Sequence, residues 1–461
     1  MLGPFGVSKW LGPLAFSALV GLSHGHAETV RMDLGEARAL GQKAFATGNY
    51  ALAHQIGQGL LRANPEDPTA LLLVAASAPQ VGKAEEGLDA GKRAFKSVDT
   101  PELRFQSAYL TARAAAADER FLSSQYWLRR AYQAAHTPAQ EKLAATSFKR
   151  LRSLSPYSSR FSFSATPSSN LNGGSSEERL FIDGVGHGGQ FTGAARALSG
   201  IRYSLTSNLS YRFSESKDHA TSFTFRSYRS FNQLSNEAKE LSPESEGSDF
   251  DYALVELGVR HRVRPTTDYL PDTYSIAFGQ TWYGEDAYER VLRLGTGRTF
   301  KLDDTSTLRV TGELENRASA RGAADRLGRH LKFSYGKELE NKNYLTLGLD
   351  LKRVTSDWEN NEYDSASVSV GYSMGEAVAG MRLSGQLRLR HSDFETYSVG
   401  GIDSGGRQDT ELDGTVNLHI DEVSYMGFRP ILSLNASRTT SNVSRFEGRN
   451  LGLSVGFQSA F

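Results

Sequence analysis

The chain has 461 residues, with 52 lysines and arginines against 52 aspartates and glutamates, and no cysteine. Zero net charge gives no electrostatic reason to expect a nucleic-acid partner. The absence of cysteine excludes disulfide scaffolds, thiolate metal sites and thiol nucleophiles, and a mean hydropathy of −0.42 without any apolar run of about twenty residues excludes a helical membrane protein.

Residues 1–27 read as an export signal. Lys9 supplies the positive charge, Trp10 opens an apolar stretch (WLGPLAFSALVGL) too short to span as a stable helix, and Gly25-His26-Ala27 offers small residues to a signal peptidase. The alternative, an uncleaved anchor, is disfavoured by Pro13 and by the short length. The mature chain is then expected to begin at Glu28, outside the cytoplasm.

Composition changes near Pro156 and divides the remainder into residues 28–157 and 158–461. The first part is rich in Ala, Leu, Gln, Glu, Arg and Lys at helical spacing. Leu40, Gly41, Gly48, Tyr50, Ala53 and Pro65 align, 34 residues on, with Val74, Ala75, Gly82, Ala84, Gly87 and Asp99. That is the tetratricopeptide period, in which small residues let two antiparallel helices approach and a glycine permits the turn between them. GNYALA (48–53) and NPEDP (64–68) resemble that repeat's second-helix start and its end. The second copy keeps Gly82 and Ala94, and a third, 102–136, fits with a small insertion that puts Tyr126, Trp127 and Ala131 on its second helix. A generic Ala-rich helical bundle is the rival. Either would offer a face to a peptide or protein partner, not a catalytic pocket.

Beyond residue 160 the apolar period becomes two, in a stretch rich in glycine, serine and aromatics. Leu345, Leu347, Leu349 and Leu351 alternate with Thr346, Gly348, Asp350 and Lys352; Met381, Leu383, Leu387 and Leu389 alternate with Arg382, Gln386, Arg388 and Arg390. Strands are predicted at 160–167, 196–213, 219–230, 248–263, 271–283, 288–300, 305–316, 327–337, 343–355, 362–374, 379–391, 407–420, 426–439 and 448–461. Segments of about 11 to 15 residues exceed those of a soluble sandwich and suit tilted bilayer-crossing strands. Arginines and aspartates on the second face are too wet for a buried layer, whereas a closed barrel satisfies every backbone group and leaves no edge. Fourteen is the even number required if both ends lie on one side. Long connections follow predicted strands 1, 3, 7 and 11, and short ones follow 2, 6, 8, 10 and 12, so the expected architecture is a helical periplasmic domain followed by a 14-stranded antiparallel transmembrane β-barrel. The chain stops on Phe461 after alternating apolar residues, which resembles the C-terminal signal read by the barrel-assembly machinery; Ser459 departs from that pattern.

No site for catalysis, a cofactor or a metal is expected. His391, Asp393 and Glu395 lie together but lack a second ligand cluster, Asp303-Asp304 reads as a turn, and no GxxxxGK[ST] phosphate loop occurs. Arg293, Arg309, Glu313, Asp350, Arg382, Arg388, Arg390 and Asp413 are expected to line the lumen. They would either contact an acidic cargo or polysaccharide, or pair with one another as hydrated wall residues.

The order of export signal, short tetratricopeptide-like part and fourteen-strand barrel resembles the surface lipoprotein assembly modulators, the outer-membrane component of the type XI secretion system. The most specific local match is FSFSATPSSNLNGGSS (161–176), where a strand ending in Pro is followed by Ser-Asn-x-Asn. The resemblance implies translocation of a cargo protein, either a lipoprotein or a soluble protein of heme or metal acquisition, across the outer membrane. The barrel-assembly machinery and periplasmic chaperones would act during biogenesis. The rival functions are a polysaccharide exporter and a porin-like channel with an accessory repeat domain.

Overall fold

A computed structural model describes residues 32–459 except Asp268. The expected export signal and Phe461 lie outside the described residues. Seven helices come first: α1 (Leu34–Ala46), α2 (Tyr50–Ala63), α3 (Pro68–Ser77), α4 (Ala84–Ser97), α5 (Pro101–Ala117), α6 (Phe121–Ala134) and α7 (Pro138–Leu154). Three of them start in the same way, with Asp67, Thr100 or Thr137 accepting from free backbone N–H groups and proline in the first turn, where its missing N–H costs nothing. Gly48 and Gly82 adopt φ of +81° and +77° at the turns into α2 and α4, a conformation glycine takes without strain.

The helices form three tetratricopeptide-type pairs closed off by α7. Ala53 and Ala94 are completely buried, and Leu71, Val74, Ala75, Ala90 and Leu110 make one core cluster. A Cβ at Gly41 would meet Ile56 of α2 and Leu73 of α3, so the absent side chain sets how closely those helices approach. Tyr50 packs on Phe45 with ring centroids 5.3 Å apart, and the Pro65 carbonyl accepts a hydrogen bond from Arg93. Leu40, the first aligned position of the repeat, is 37% exposed. It sits on the first helix, which no preceding unit covers among the described residues.

The strands are β1 (Tyr157–Ser168), β2 (Arg179–Ile182), β3 (Val185–Gln190), β4 (Gly200–Glu215), β5 (His219–Leu234), β6 (Tyr252–Val263), β7 (Thr273–Tyr283), β8 (Asp286–Lys301), β9 (Ser306–Ser319), β10 (Arg326–Glu338), β11 (Tyr344–Ser356), β12 (Tyr363–Ser373), β13 (Met381–Phe394), β14 (Ser398–Val399), β15 (Ile402–Asp403), β16 (Arg407–Ile420), β17 (Phe428–Ser441) and β18 (Gly448–Ser459). Fourteen close into one antiparallel barrel in the order β1-β18-β17-β16-β13-β12-β11-β10-β9-β8-β7-β6-β5-β4, while β2-β3 and β14-β15 are small hairpins in its loops. Each predicted strand corresponds to one barrel strand.

Two strand starts move by four residues. The second barrel strand starts at Gly200 because Ala195 and Ala197 are hydrogen-bonded to Ser175 in the preceding loop. The fourth starts at Tyr252 because Gly247–Phe250 winds into a 3₁₀ turn. Asp303 does cap a turn, accepting from the backbone N–H groups and hydroxyls of Thr305 and Ser306.

The barrel is apolar outside and polar inside. Leu347, Leu389, Leu451 and Phe457 stand on the outer wall, and Tyr157–Tyr211 and Phe213–Phe223 stack there near the short-turn end. Such a wall is stable only against hydrocarbon, with aromatics at its border. None of the described helices is long and apolar enough to cross a membrane.

Candidate functional site

The lumen wall follows from strand pairing. Register puts Arg226 opposite Glu256, Arg293 opposite Glu315, Arg388 opposite Asp413 and Arg390 opposite Glu411. The register sets Arg293, Arg309, Glu313, Asp350, Arg382, Arg388, Arg390 and Asp413 on the strand face opposite the apolar outer wall. Arg293 is gripped by Glu256, Glu313 and Glu315, the Glu313 contact being 3.2 Å. Arg388 pairs with Asp413 at 2.9 Å, Arg390 with Glu411 at 2.7 Å and Arg382 with Asp421 at 2.5 Å. Asp350 binds His330 and lies 3.9 Å from Lys332. Among the described residues Arg309 reaches only the Thr299 hydroxyl, at 3.2 Å.

These contacts favour the paired-wall reading of the lumen arginines. Glu256 and Glu289, both nearly buried, extend the network to Arg226, Arg317 and Arg326. Neither acid was singled out in the sequence, although the same alternation places them inside. Next to this network a polar chamber of about 650 Å³ is lined by Lys332, Asp350, Lys352, Arg388, Arg390 and Glu411.

The long-loop end is tied shut on the half of the rim around β1. In the loop 169–199, Asn172 donates to the carbonyls of Ala194 (2.7 Å) and Arg196 (2.8 Å) and accepts from the Leu198 N–H (2.9 Å). Leu171 and Leu198 bury against Leu234 at the end of β5 and Ala238 of the β5–β6 loop, where helix α8 (Asn236–Leu241) lies. Leu180 and Ile182 bury against Val443 of the β17–β18 loop. Ser175 donates to the Ser444 carbonyl at 2.7 Å, and Arg407 stacks on Phe394 and Phe446 at 3.6 and 3.8 Å. The Ser-Asn-x-Asn motif thus serves to fold this loop.

At the short-turn end α7 runs straight into β1, and Arg212 of β4 donates to the carbonyls of Leu154 and Ser155 at the junction. The neighbouring helix α6 docks on the other side. Arg129 donates to the Met426 carbonyl (2.9 Å) and the Ser459 hydroxyl (2.8 Å), and its guanidinium lies 4.2 Å from the Phe428 ring and 4.7 Å from Phe148. Gln133 accepts from the Met426 N–H at 2.6 Å. Burial, with Arg152 nearby, pushes Arg129 down to about 10, so it remains charged at neutral pH. Nothing local in the sequence marks Arg129 or Gln133, since their barrel partners lie 293 to 330 residues away.

Between these two attachments runs the joint of the barrel. β1 and β18 share a single register pair among the described residues, Ala165 with Val455, whereas β1 pairs with β4 along its whole length and β17 with β18 from Phe428 to Thr439. Pro167 lacks an N–H to donate, and Gly452 and Gly456 put no side chain into the lumen beside it.

The family model for surface lipoprotein assembly modifiers matches residues 159–453. No curated protein matches the chain. Over 26% of its length it is similar to the type III secretion translocator chaperone SycD of Yersinia enterocolitica, at 16% identity and TM-score 0.24, covering 84% of that chain. Over 65% it is similar to OccAB3 of Acinetobacter baumannii, at 10% identity and TM-score 0.34, and to a BenF-like porin of Pseudomonas fluorescens Pf-5, at 8% identity and TM-score 0.35, covering 98% of each.

Proposed function

This chain belongs to the surface lipoprotein assembly modifier family and forms an outer-membrane β-barrel, and from that premise we propose that it passes a cargo protein across the outer membrane for assembly at the cell surface. The helical pairs, in the periplasm on this reading, receive the cargo, and the barrel provides the exit. The observation that carries the proposal is the weak β1–β18 joint with the helical part fixed to both of its sides, covalently through β1 and by Arg129 to the end of β18.

In this reading the joint is the opening. A load on the helices pulls β1 and β18 apart at the short-turn end, and little backbone pairing has to break. Folding of the cargo outside supplies the free energy, and the chain itself acts without catalysis. A lipidated cargo suits a lateral opening because its acyl chains never need to enter the wet lumen. Soluble cargo of heme or metal acquisition would take the same type XI secretion route. The ties among the loops 169–199, 235–251 and 442–447 speak against a freely open porin.

The absence of native cysteine gives a clean test. A165C/V455C would lock the joint through a disulfide between register partners. Oxidised cells should lose surface exposure of a co-expressed lipoprotein cargo and regain it on reduction, with A165C alone behaving as wild type. Undiminished display from a fully cross-linked barrel would defeat the proposal.

A further inference from the structure

The outer wall carries a row of charge that its own pairing does not explain. Arg329 on β10 stands directly opposite Arg353 on β11; Arg353 stands opposite Asp364 on β12, and Asp364 opposite Asp393 on β13. All four side chains point away from the lumen and are exposed. Like charges facing each other across strands are destabilising. Only the central pair meets, with Arg353 Nε 3.6 Å from Asp364, and Arg329 makes no ion pair among the described residues.

The row sits at a definite depth. The next outward row toward the short-turn end is Leu331, Leu351, Ala366 and His391. The arginines therefore mark the border between apolar wall and head groups at the long-loop end. Beneath them a trough of about 930 Å³ follows the pairing rows across the wall, lined by Leu294, Gly312, Leu314, Leu331, Leu351 and Ala366. Barrel strands tilt against the axis, so these rows run obliquely and the trough slopes from the charged row down toward β7. A cationic pair above a sloping apolar channel complements an amphiphile with an anionic head and long acyl chains.

We propose that this trough binds a phosphorylated glycolipid of the outer leaflet. Arg329 and Arg353 take one phosphate between them, which turns their repulsion into a chelate of charge-assisted hydrogen bonds. Asp364 and Asp393 accept from hydroxyls of the sugar, a contact that a phospholipid head group offers less well. The acyl chains lie in the trough, against Leu314, Leu331 and Gly312. The site is independent of cargo transfer, so its failure and that of the joint would be told apart by separate measurements.

The test uses the full chain in detergent, titrated with bis-phosphorylated lipid A or with phosphatidylglycerol and read by native mass spectrometry. Wild type should hold one lipid A more tightly than phosphatidylglycerol, and R329Q/R353Q should bind it roughly tenfold more weakly. G312L fills the trough while its Cβ meets only the Thr296 methyl, at an ordinary 3.5 Å; it should also weaken binding with heat-modifiable mobility retained. R438Q/R449Q removes a second outward arginine pair, which does not line this trough, and should leave binding unchanged. Wild-type affinity in R329Q/R353Q, equal affinity for phosphatidylglycerol, or an equal loss in R438Q/R449Q would overturn the proposal.

Discussion

Arg129 of α6 donates to the carbonyl of Met426, a residue held at φ of +51° in the turn between β16 and β17. In this turn Tyr425 and Phe428 pair with each other, leaving the Met426 N–H and C=O to point outward, and the helical part takes both. A barrel turn has become a docking handle. R129A removes two hydrogen bonds and the stack on Phe428, worth about 2–3 kcal/mol of docking, and R129K should not restore it because lysine lacks the planar fork. Limited proteolysis in detergent should release the helical part faster from both variants while the barrel keeps its heat-modifiable mobility, and cargo display should fall. An unchanged cleavage rate would mean that docking rests elsewhere.

A second clasp at this end predicts acid sensitivity. Asp421, just beyond β16, accepts from Arg382 at 2.5 Å and from Arg429 at 2.8 Å. Hydrogen bonding from Arg382 first, then from Arg429, holds its carboxyl below the usual aspartate range despite partial burial. A depressed folded-state value means that the clasp contributes fully above the unfolded carboxyl's range, near pH 4, and is lost as pH falls through the lower folded value. Thermal unfolding in detergent should therefore separate wild type from D421N at neutral pH and bring them together in strong acid. A gap that stays constant down to pH 2 would contradict this.

Alternation made the lumen legible. Arg388, Arg390 and Asp413 could be assigned inward from a period of two alone, and the fourteen strands could be counted because turns and long loops interrupt that period. Pairing partners could not be read, because register depends on turns such as Met426-Gly427 and Ala379-Gly380, so Glu256 and Glu315 could not be set beside Arg293. The start of β4 was misplaced for a related reason: Arg196 and Ala197 have strand-like neighbours, yet Asn172 and Ser175, more than twenty residues earlier, hold them in the loop. Arg129 leaves no local trace at all, since contacts between the helical part and the barrel join distant segments.

Asn172 should matter more than its place in a surface loop suggests. Its side chain makes three hydrogen bonds of 2.9 Å or shorter across the loop 169–199, and at about 1 kcal/mol net for each N172A should loosen the loop by about 2–3 kcal/mol. The barrel pairs elsewhere and should remain folded. External protease should then cut within 169–199 in intact cells, and planar-bilayer recordings should show larger or more frequent openings than wild type. Protease resistance equal to wild type would show that the Leu171–Leu198 cluster alone holds the loop.

The lumen network makes unequal demands on its members. Glu256 is 4% exposed and answers two arginines, Arg226 at 3.3 Å and Arg293 at a shorter distance. E256A takes the partner from Arg226 and one of three carboxylates from Arg293, and losing a nearly buried charged acceptor costs about 1.5–3 kcal/mol. R309Q removes an arginine whose partner is a neutral hydroxyl, and its effect should stay within about 0.5 kcal/mol. Urea unfolding in detergent, followed by heat-modifiable mobility, should place the E256A midpoint well below wild type and R309Q beside it. Replacing Glu256 with Gln should recover part of the loss, since the amide oxygen still accepts from Arg293. Equal midpoints for E256A and R309Q would mean that water in the lumen screens the network and that its arginines are free to meet cargo.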